Sequence, residues 1–454
     1  MRIIASSRTR TVQALIDRGR APDAEIARRV ATIIADVRRS GDRAVLRCAR
    51  KFDRLEGPLE VDADEIRRGA AETPPAVRTA IRTAARHIRR VSAKQVPRGW
   101  RTTVAPGVVI EQRVTPLDRV ACYVPGGRHP LPSSLLMTAI PARVAGVPEV
   151  LAACPDPAPA VLAAAVEAKV TRLFRLGGAH AIAAFAYGTA TVPRVDKIVG
   201  PGSAYVAAAK AQVAPDCPID FYAGPTEIVV VSSDGNPEWI AADLVAQAEH
   251  DPDARAILLT PSRPLARAVA AAVAAQLEEH PDAAPSIAAH GVAVVARTLD
   301  EAVDLANAIA PEHAVADTLA VARRVTRAGT VFVGPYGAQA AGDYATGSNH
   351  VLPTDGVARV RGGLSAADFV RVNSVQRLTR QGLRNLAPSV ISLANAEGLR
   401  AHAASVARRV LAGPRVDGRA DGKGSRREGA ATAARDGSRA AGAGPDLAEE
   451  ETGR

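Results

Sequence analysis

AVLAAAVEAKVTRLFRL, residues 160–176, is the stretch from which the fold is read. Its first ten residues are alanine-rich and suit a helix, and residues 172–176 form a short apolar run of strand length. Two glycines follow at 177 and 178. A helix feeding a short buried strand and then a turn is the repeating unit of a parallel sheet with crossover helices.

The same texture extends in both directions. Short β-branched runs at 108–110, 120–124 and 228–231 read as strands of one α/β lobe. A second series follows: helical 239–250, strand 256–260, helical 265–279, strand 291–295 and helical 300–310. Before them, residues 11–98 keep helical spacing, broken at Gly41, Gly57, Pro74 and Pro75. Beyond Ser365 the spacing is again helical, at 368–371, 374–380, 382–386 and 390–410. The expected organisation is a helical N-terminal region (1–103), a first α/β lobe (104–230), a second α/β lobe (231–364), a C-terminal helical element (365–413) and a tail (414–454). That tail holds almost no large apolar side chains, so it is expected to be disordered.

Composition narrows the function classes. The 454 residues are 47% hydrophobic and only 3% aromatic, which suits tightly packed α/β layers in more than one lobe. The formal charge of +11 invites a nucleic-acid reading, but residues 1–101 hold 24 Lys and Arg against 12 Asp and Glu, leaving the remainder close to neutral. Those arginines recur among Ile26, Val30, Ile33, Ile34 and Val37, as on the wet face of amphipathic helices, without interleaved aromatic platforms. Four scattered cysteines, Cys48, Cys122, Cys154 and Cys217, have no metal-ribbon spacing. Reduced thiols, no apolar leader and no membrane-length run lead to the expectation of a soluble cytoplasmic protein that binds neither nucleic acid nor membrane.

Several motifs carry chemistry. Gly200-Pro201-Gly202-Ser203-Ala204-Tyr205 is a dinucleotide fingerprint broken at its third glycine, where Tyr205 stands. The turns Tyr123 to Gly127 and Gly177-Gly178-Ala179-His180 could each present backbone N–H groups to a phosphate, or serve only as turns. Gln247 and His250, three apart on an expected helix, share one face and could meet a cation. Glu312-His313 offers two adjacent acid/base groups at the end of a helical pattern. Asp343 and His350 flank a loop rich in glycine and serine. Glu397 and His402 fall five apart on an expected C-terminal helix.

Together with Ala223-Gly224-Pro225-Thr226-Glu227, Ala341-Gly342-Asp343-Tyr344 and Asn349-His350, these blocks strongly resemble the L-histidinol dehydrogenase family, in the family's order over about residues 10–412. The resemblance implies two incomplete Rossmann-like lobes with parallel sheets, and a homodimer with an exchanged C-terminal arm. It implies one zinc ion per subunit on Gln247, His250, Asp343 and His402, with Glu397 and His402 supplied by the partner chain. It also implies two successive NAD-dependent oxidations of L-histidinol through L-histidinaldehyde to L-histidine, the last steps of histidine biosynthesis. His313 would take the hydroxyl proton and Glu312 would activate water against the aldehyde. Thr226, His350 and Glu397 would join the zinc ligands and His313 in contacting substrate, and Tyr123, His180 and Ser203 would contact NAD.

Two positions depart from the family's common pattern: His180 stands where Gln is usual, and Ser203 where Asn is usual. Both can still donate a hydrogen bond, so altered rather than lost cofactor affinity is expected. The rival routes are a thiohemiacetal on Cys122 or Cys154 for the aldehyde step, a same-family dehydrogenase acting on another small polar alcohol such as a sulfonated diol, and a basic nucleic-acid-binding protein.

Overall fold

The computed structural model describes residues 1–17, 23–126, 130–222 and 224–412. Gly127, Ala223 and the 414–454 tail lie outside the described residues. Thirteen strands occur among the described residues: β1 (Arg2–Ala5), β2 (Trp100–Ala105), β3 (Val108–Pro116), β4 (Arg119–Tyr123), β5 (Glu149–Ala153), β6 (Arg172–Phe174) and β7 (Lys197–Val199). The rest are β8 (Glu227–Val231), β9 (Arg255–Thr260), β10 (Val292–Val295), β11 (His313–Ala316), β12 (Thr330–Val333) and β13 (Val370–Leu378).

The architecture is α/β with two parallel sheets, ordered β6-β5-β4-β7 and β1-β10-β9-β8-β11-β12. Each winds outward from a central strand and then returns to that strand's other side, so the winding reverses between β4 and β7 in one sheet and between β8 and β11 in the other. Alternation puts Val120 and Cys122 on one face of β4, Ala121 and Tyr123 on the other, and each face is buried under helices. In the second sheet Ile228 and Val230 face one core, Val229 and Val231 the other.

Two expectations about the flanking regions change. The N-terminal stretch is not purely helical: β1 pairs parallel with β10, and Ile4 joins the core of the second sheet. Its helices Ala24–Ser40 and Asp42–Phe52 cover one face of the first sheet, while Pro75–Gln95 covers the other. Residues 374–380 are not helical but mostly strand, since β13 joins β3 and β2 in a three-stranded sheet that composition did not announce. The alternation of Val370 and Val372 with polar neighbours is the strand signal.

The chain divides into two compact units, Met1–Arg377 and Leu378–Arg454. The described part of the second unit is a helical hairpin, Arg380–Ala396 and Arg400–Leu411.

Candidate active site

The chemistry-bearing residues of the second sheet gather at the amino ends of β8 and β11. Ala310 ends the Leu299–Ile309 helix in the left-handed region (φ 51°), and Pro311 then turns the chain so that Glu312 immediately precedes β11 and His313 begins it. His313 stands opposite Ile228 of β8, one residue from Glu227. The pair therefore opens a strand rather than closing a helix.

One hydrogen-bonded chain connects four segments. Gln247 Nε2 donates to Thr226 Oγ1 (2.5 Å), and Thr226 Oγ1 donates to Glu312 Oε2 (2.5 Å), which also accepts from the Glu227 backbone (3.0 Å). The His313 Nδ1 atom lies 3.3 Å from the Glu227 carbonyl and 3.7 Å from Glu312 Oε2. Its Nε2 lies 3.5 Å from Gln339 Nε2 and 3.7 Å from Asp343 Oδ1, and Gln339 donates to Asp343 Oδ2 (2.5 Å). His350 donates from Nδ1 to the Asp343 carbonyl (2.9 Å), with Nε2 3.4 Å from Ser134 Oγ.

Burial sets the electrostatics. It raises Glu312 above the usual carboxylate range despite the opposing pull of His313 and Thr226. For His313 burial works against the charge, but Glu312 and Asp343 outweigh it and the ring is raised. Asp343 is lowered, since His313, His350 and His250 together overcome its burial. Burial lowers His350, disfavouring its charged form against the opposing pull of Asp343.

Three local readings are corrected. The helix bearing Gln247 is Pro237–Ala248, so His250 lies just past its end; its Nδ1 still reaches back to the Ala246 carbonyl (3.0 Å), keeping the ring beside that turn. Asp343 belongs to a short helix, Gln339–Tyr344, rather than to the loop. Glu397 and His402 sit on two helices: Glu397 caps the first, Gly398 turns with φ 75°, and His402 lies in the first turn of the second. Both side chains are exposed in the second unit.

Gln247, His250 and Asp343 fit a divalent cation. Gln247 Oε1 is buried without a hydrogen-bond partner, an acceptor whose desolvation is otherwise uncompensated. The bond from His250 Nδ1–H to a carbonyl leaves Nε2 as a lone pair, the usual outer-shell support of a metal-binding imidazole. Gln247 also lies in the last turn of a 12-residue helix, where the backbone dipole favours positive charge. Among the described residues no three His, Cys, Asp or Glu form a metal cluster by themselves.

The first sheet presents its carboxyl ends instead. Tyr123 closes β4, and Gly200 follows β7 with φ 117°, so near Tyr123 that a Cβ there would lie 2.2 Å from its carbonyl oxygen. A buried ion pair, Lys210 with Asp220, holds this turn: Asp220 accepts from the Gly200 N–H (2.8 Å) and Lys210 donates to the Gly200 carbonyl (2.9 Å). Ser203 is exposed at the N-terminus of the Ala204–Val213 helix, its hydroxyl making no capping bond.

The Gly177 and Gly178 amides are not open to a phosphate. Asp53 accepts from Gly177 N–H (2.9 Å), and the Tyr123 hydroxyl accepts from Gly178 N–H (3.0 Å). His180 is buried with Nε2 on Asp53 Oδ2 (2.7 Å). Burial pushes the Tyr123 phenol up to about 12. Cys122 and Cys154 are buried and likewise pushed up to about 12, which removes the thiolate that a thiohemiacetal route needs.

The model of one protein family, histidinol dehydrogenase, matches residues 16–410. The chain belongs to the histidinol dehydrogenase family. It is 45% identical to a histidinol dehydrogenase of Geobacter sulfurreducens over 87% of this chain and 96% of that one. With a histidinol dehydrogenase of Caulobacter vibrioides the identity is 46% over 88% and 96%. The crystal structure of histidinol dehydrogenase from Elizabethkingia anophelis superposes with a TM-score of 0.86 at 32% identity, covering 90% of this chain and 98% of that one. No helix among the described residues is long and apolar enough to cross a membrane.

Sequence reasoning missed two residues that help build these histidinol dehydrogenase sites, Gln339 and Asp53. Gln339 lies four residues before Asp343 on one short helix, a spacing that could have flagged it. Asp53 ends a helix of the N-terminal region and carries no local signal.

Proposed function

We propose that this chain oxidises L-histidinol to L-histidine in two NAD-dependent steps within histidine biosynthesis. The observation that carries the reading is the convergence of Thr226, Gln247, Glu312, His313 and Asp343, from four segments of the chain, into one buried polar cluster.

His313 is the base: its Nε2 takes the hydroxyl proton as hydride leaves the carbinol carbon for the nicotinamide. Glu312, whose burial raises its affinity for a proton, takes one from water so that the hydrated aldehyde can be oxidised in turn. Thr226, which donates to Glu312 and accepts from Gln247, keeps the two halves of the site in register. His350, its charged form disfavoured by burial, contacts the substrate beside Asp343. A zinc ion on Gln247, His250, Asp343 and His402 would bind the substrate's nitrogen atoms and orient the alcohol.

NAD lies along the first lobe, at the carboxyl ends of β4 and β7 where the winding reverses, beside Tyr123, His180 and Ser203. The lobes thus divide the work, the sheet of β4 to β7 holding NAD and the sheet of β8 to β12 the zinc and catalytic groups; the expected boundary at 230/231 would cut through β8 (Glu227–Val231) and moves to before Thr226. Residues 365–413 form the arm of a homodimer, and Glu397 and His402 serve the partner's site. Exposed Leu393 (65%) and Leu411 (83%) on the hairpin support an arm that is covered by a second chain.

The test strips the metal with a chelator, restores zinc, and follows NADH from L-histidinol. Two NADH per histidinol, lost on chelation and regained with zinc, are expected. One NADH per molecule, or turnover indifferent to chelation, would refute the scheme. A sulfonated diol assayed alongside is expected to be a much poorer substrate.

A further inference from the structure

We infer that Gln339 is a positioning residue whose single amide nitrogen sets the orientation of both His313 and Asp343. The inference rests on the reading of His313 as base and Asp343 as a cation ligand. Gln339 is 1% exposed and opens the short helix that also carries Asp343. The Asp343 carboxylate can only accept, so the Gln339 atom 2.5 Å from its Oδ2 is the NH2 group and not the amide oxygen. That group has two hydrogens. One is used on Asp343, and the other points toward His313 Nε2 at 3.5 Å.

The opposite side of the ring completes the argument. His313 Nδ1 faces the Glu227 carbonyl, which also can only accept, so Nδ1 carries a hydrogen. In the neutral ring Nε2 is then the bare nitrogen, and the Gln339 amide meets a lone pair; the other tautomer would set two donors against each other. The same amide occupies Asp343 Oδ2 and leaves Oδ1 as the oxygen free to serve a cation. Gln339 therefore fixes which nitrogen of the base carries the lone pair and which oxygen of the ligand stays open, without touching substrate, and its weak 3.5 Å contact is given up when Nε2 meets the substrate hydroxyl. Outer-shell partners of this kind are worth about 10- to 100-fold in metal affinity or activity.

The test uses the full chain and two variants. Gln339→Met keeps the volume and removes both donors; Gln339→Glu keeps the shape and offers an acceptor. In metal-free protein with 15N-labelled histidine rings, the His313 signal is identified by its loss in His313→Asn. The parent is expected to show one tautomer with hydrogen on Nδ1, and both variants to shift hydrogen toward Nε2. Zinc alone, titrated calorimetrically into stripped protein, is expected to bind Gln339→Met about 10- to 100-fold more weakly than the parent. kcat is expected to fall while the KM for NAD stays within about twofold, since the amide lies on a short helix beside His313 of the second sheet.

An unchanged tautomer in both variants, with zinc affinity within about twofold of the parent, would overturn the inference. If Gln339→Met does not fold, the tautomer in Gln339→Glu decides it. A parent that takes up no zinc would refute the metal reading, whereas the metal-free tautomer measurement judges Gln339 as the partner of His313 by itself.

Discussion

The two parallel sheets share one winding yet expose opposite edges to chemistry. The first offers the carboxyl ends of β4 and β7, the usual crevice of an open α/β sheet. The second offers the amino ends of β8 and β11, where Thr226, Glu227, Glu312 and His313 lie beside the C-terminal turn of the Pro237–Ala248 helix. Polarity follows from this. A carboxyl edge receives helix N-termini and suits an anionic cofactor, while an amino edge receives helix C-termini and suits a cation. Satisfaction differs as well: the turns of the first sheet are closed by internal bonds through Asp53, Tyr123 and Asp220, whereas the second keeps an unpartnered acceptor at Gln247. The first edge is a built shape, and the second, though bonded together, keeps an acceptor uncommitted.

The largest expected effect separates the edges by chemistry. His313→Asn should lower kcat by about 10²- to 10⁴-fold, the range of general acid–base catalysis, with little change in the KM for NAD. Glu312→Gln should spare the first oxidation more than the second. Single-turnover NADH yields should therefore move from two per histidinol toward one. Equal losses in both half-reactions would remove the division of labour between the two residues.

Next comes the framework of the first edge. Lys210→Met leaves Asp220 buried and unpaired beneath Gly200, and removing one partner of a buried pair costs about 3 to 5 kcal/mol. Denaturant unfolding checks it, and a loss under about 1 kcal/mol would show that the turn does not depend on the pair.

How much of this was legible in sequence differs between the edges. The strand and helix alternation around 160–176 was readable because β-branched and alanine-rich runs have different periods. β1 was not: four residues carry almost no periodic signal, and their partner β10 lies some 290 positions away. Acid/base and ligand types at 247, 250, 312, 313 and 343 were visible as letters, but only the fold joins 247, 312, 313 and 343 through Thr226 and Gln339. The phosphate-cradle reading of Gly177 and Gly178 failed for a related reason, since the groups that occupy those amides, Asp53 and Tyr123, are 124 and 55 residues away.

A smaller effect probes the uncommitted character of the second edge through pH. Asp243, one turn before Gln247, is raised by burial to about 6 against a backbone bond from Gln339 that works to lower it. An acid whose folded value lies above its unfolded 3.8 binds its proton more tightly in the native state, so its contribution to stability falls as pH rises from about 4 to about 6. Asp243→Asn should abolish that slope and be more stable than the parent at pH 7, by on the order of 1 to 2 kcal/mol. Parallel stability curves for the two proteins across this window would contradict the assignment.

The smallest expected effect is the most informative about the first edge. His180 is buried with its Nε2 on Asp53, which also holds the Gly177 amide, so the ring is placed to support the turn on which NAD is proposed to lie. Glutamine at this position can keep a bond to Asp53, and His180→Gln should change the KM for NAD by about two- to tenfold at most, the worth of one hydrogen bond. Asp53→Ala should cost more, because it releases both the Gly177 amide and the His180 ring. If His180→Gln instead abolished NAD use while Asp53→Ala did not, the side chain and not the turn would be reading the cofactor. The first edge would then resemble the second, a surface of individual donors, and the contrast between a built shape and an uncommitted acceptor would not hold.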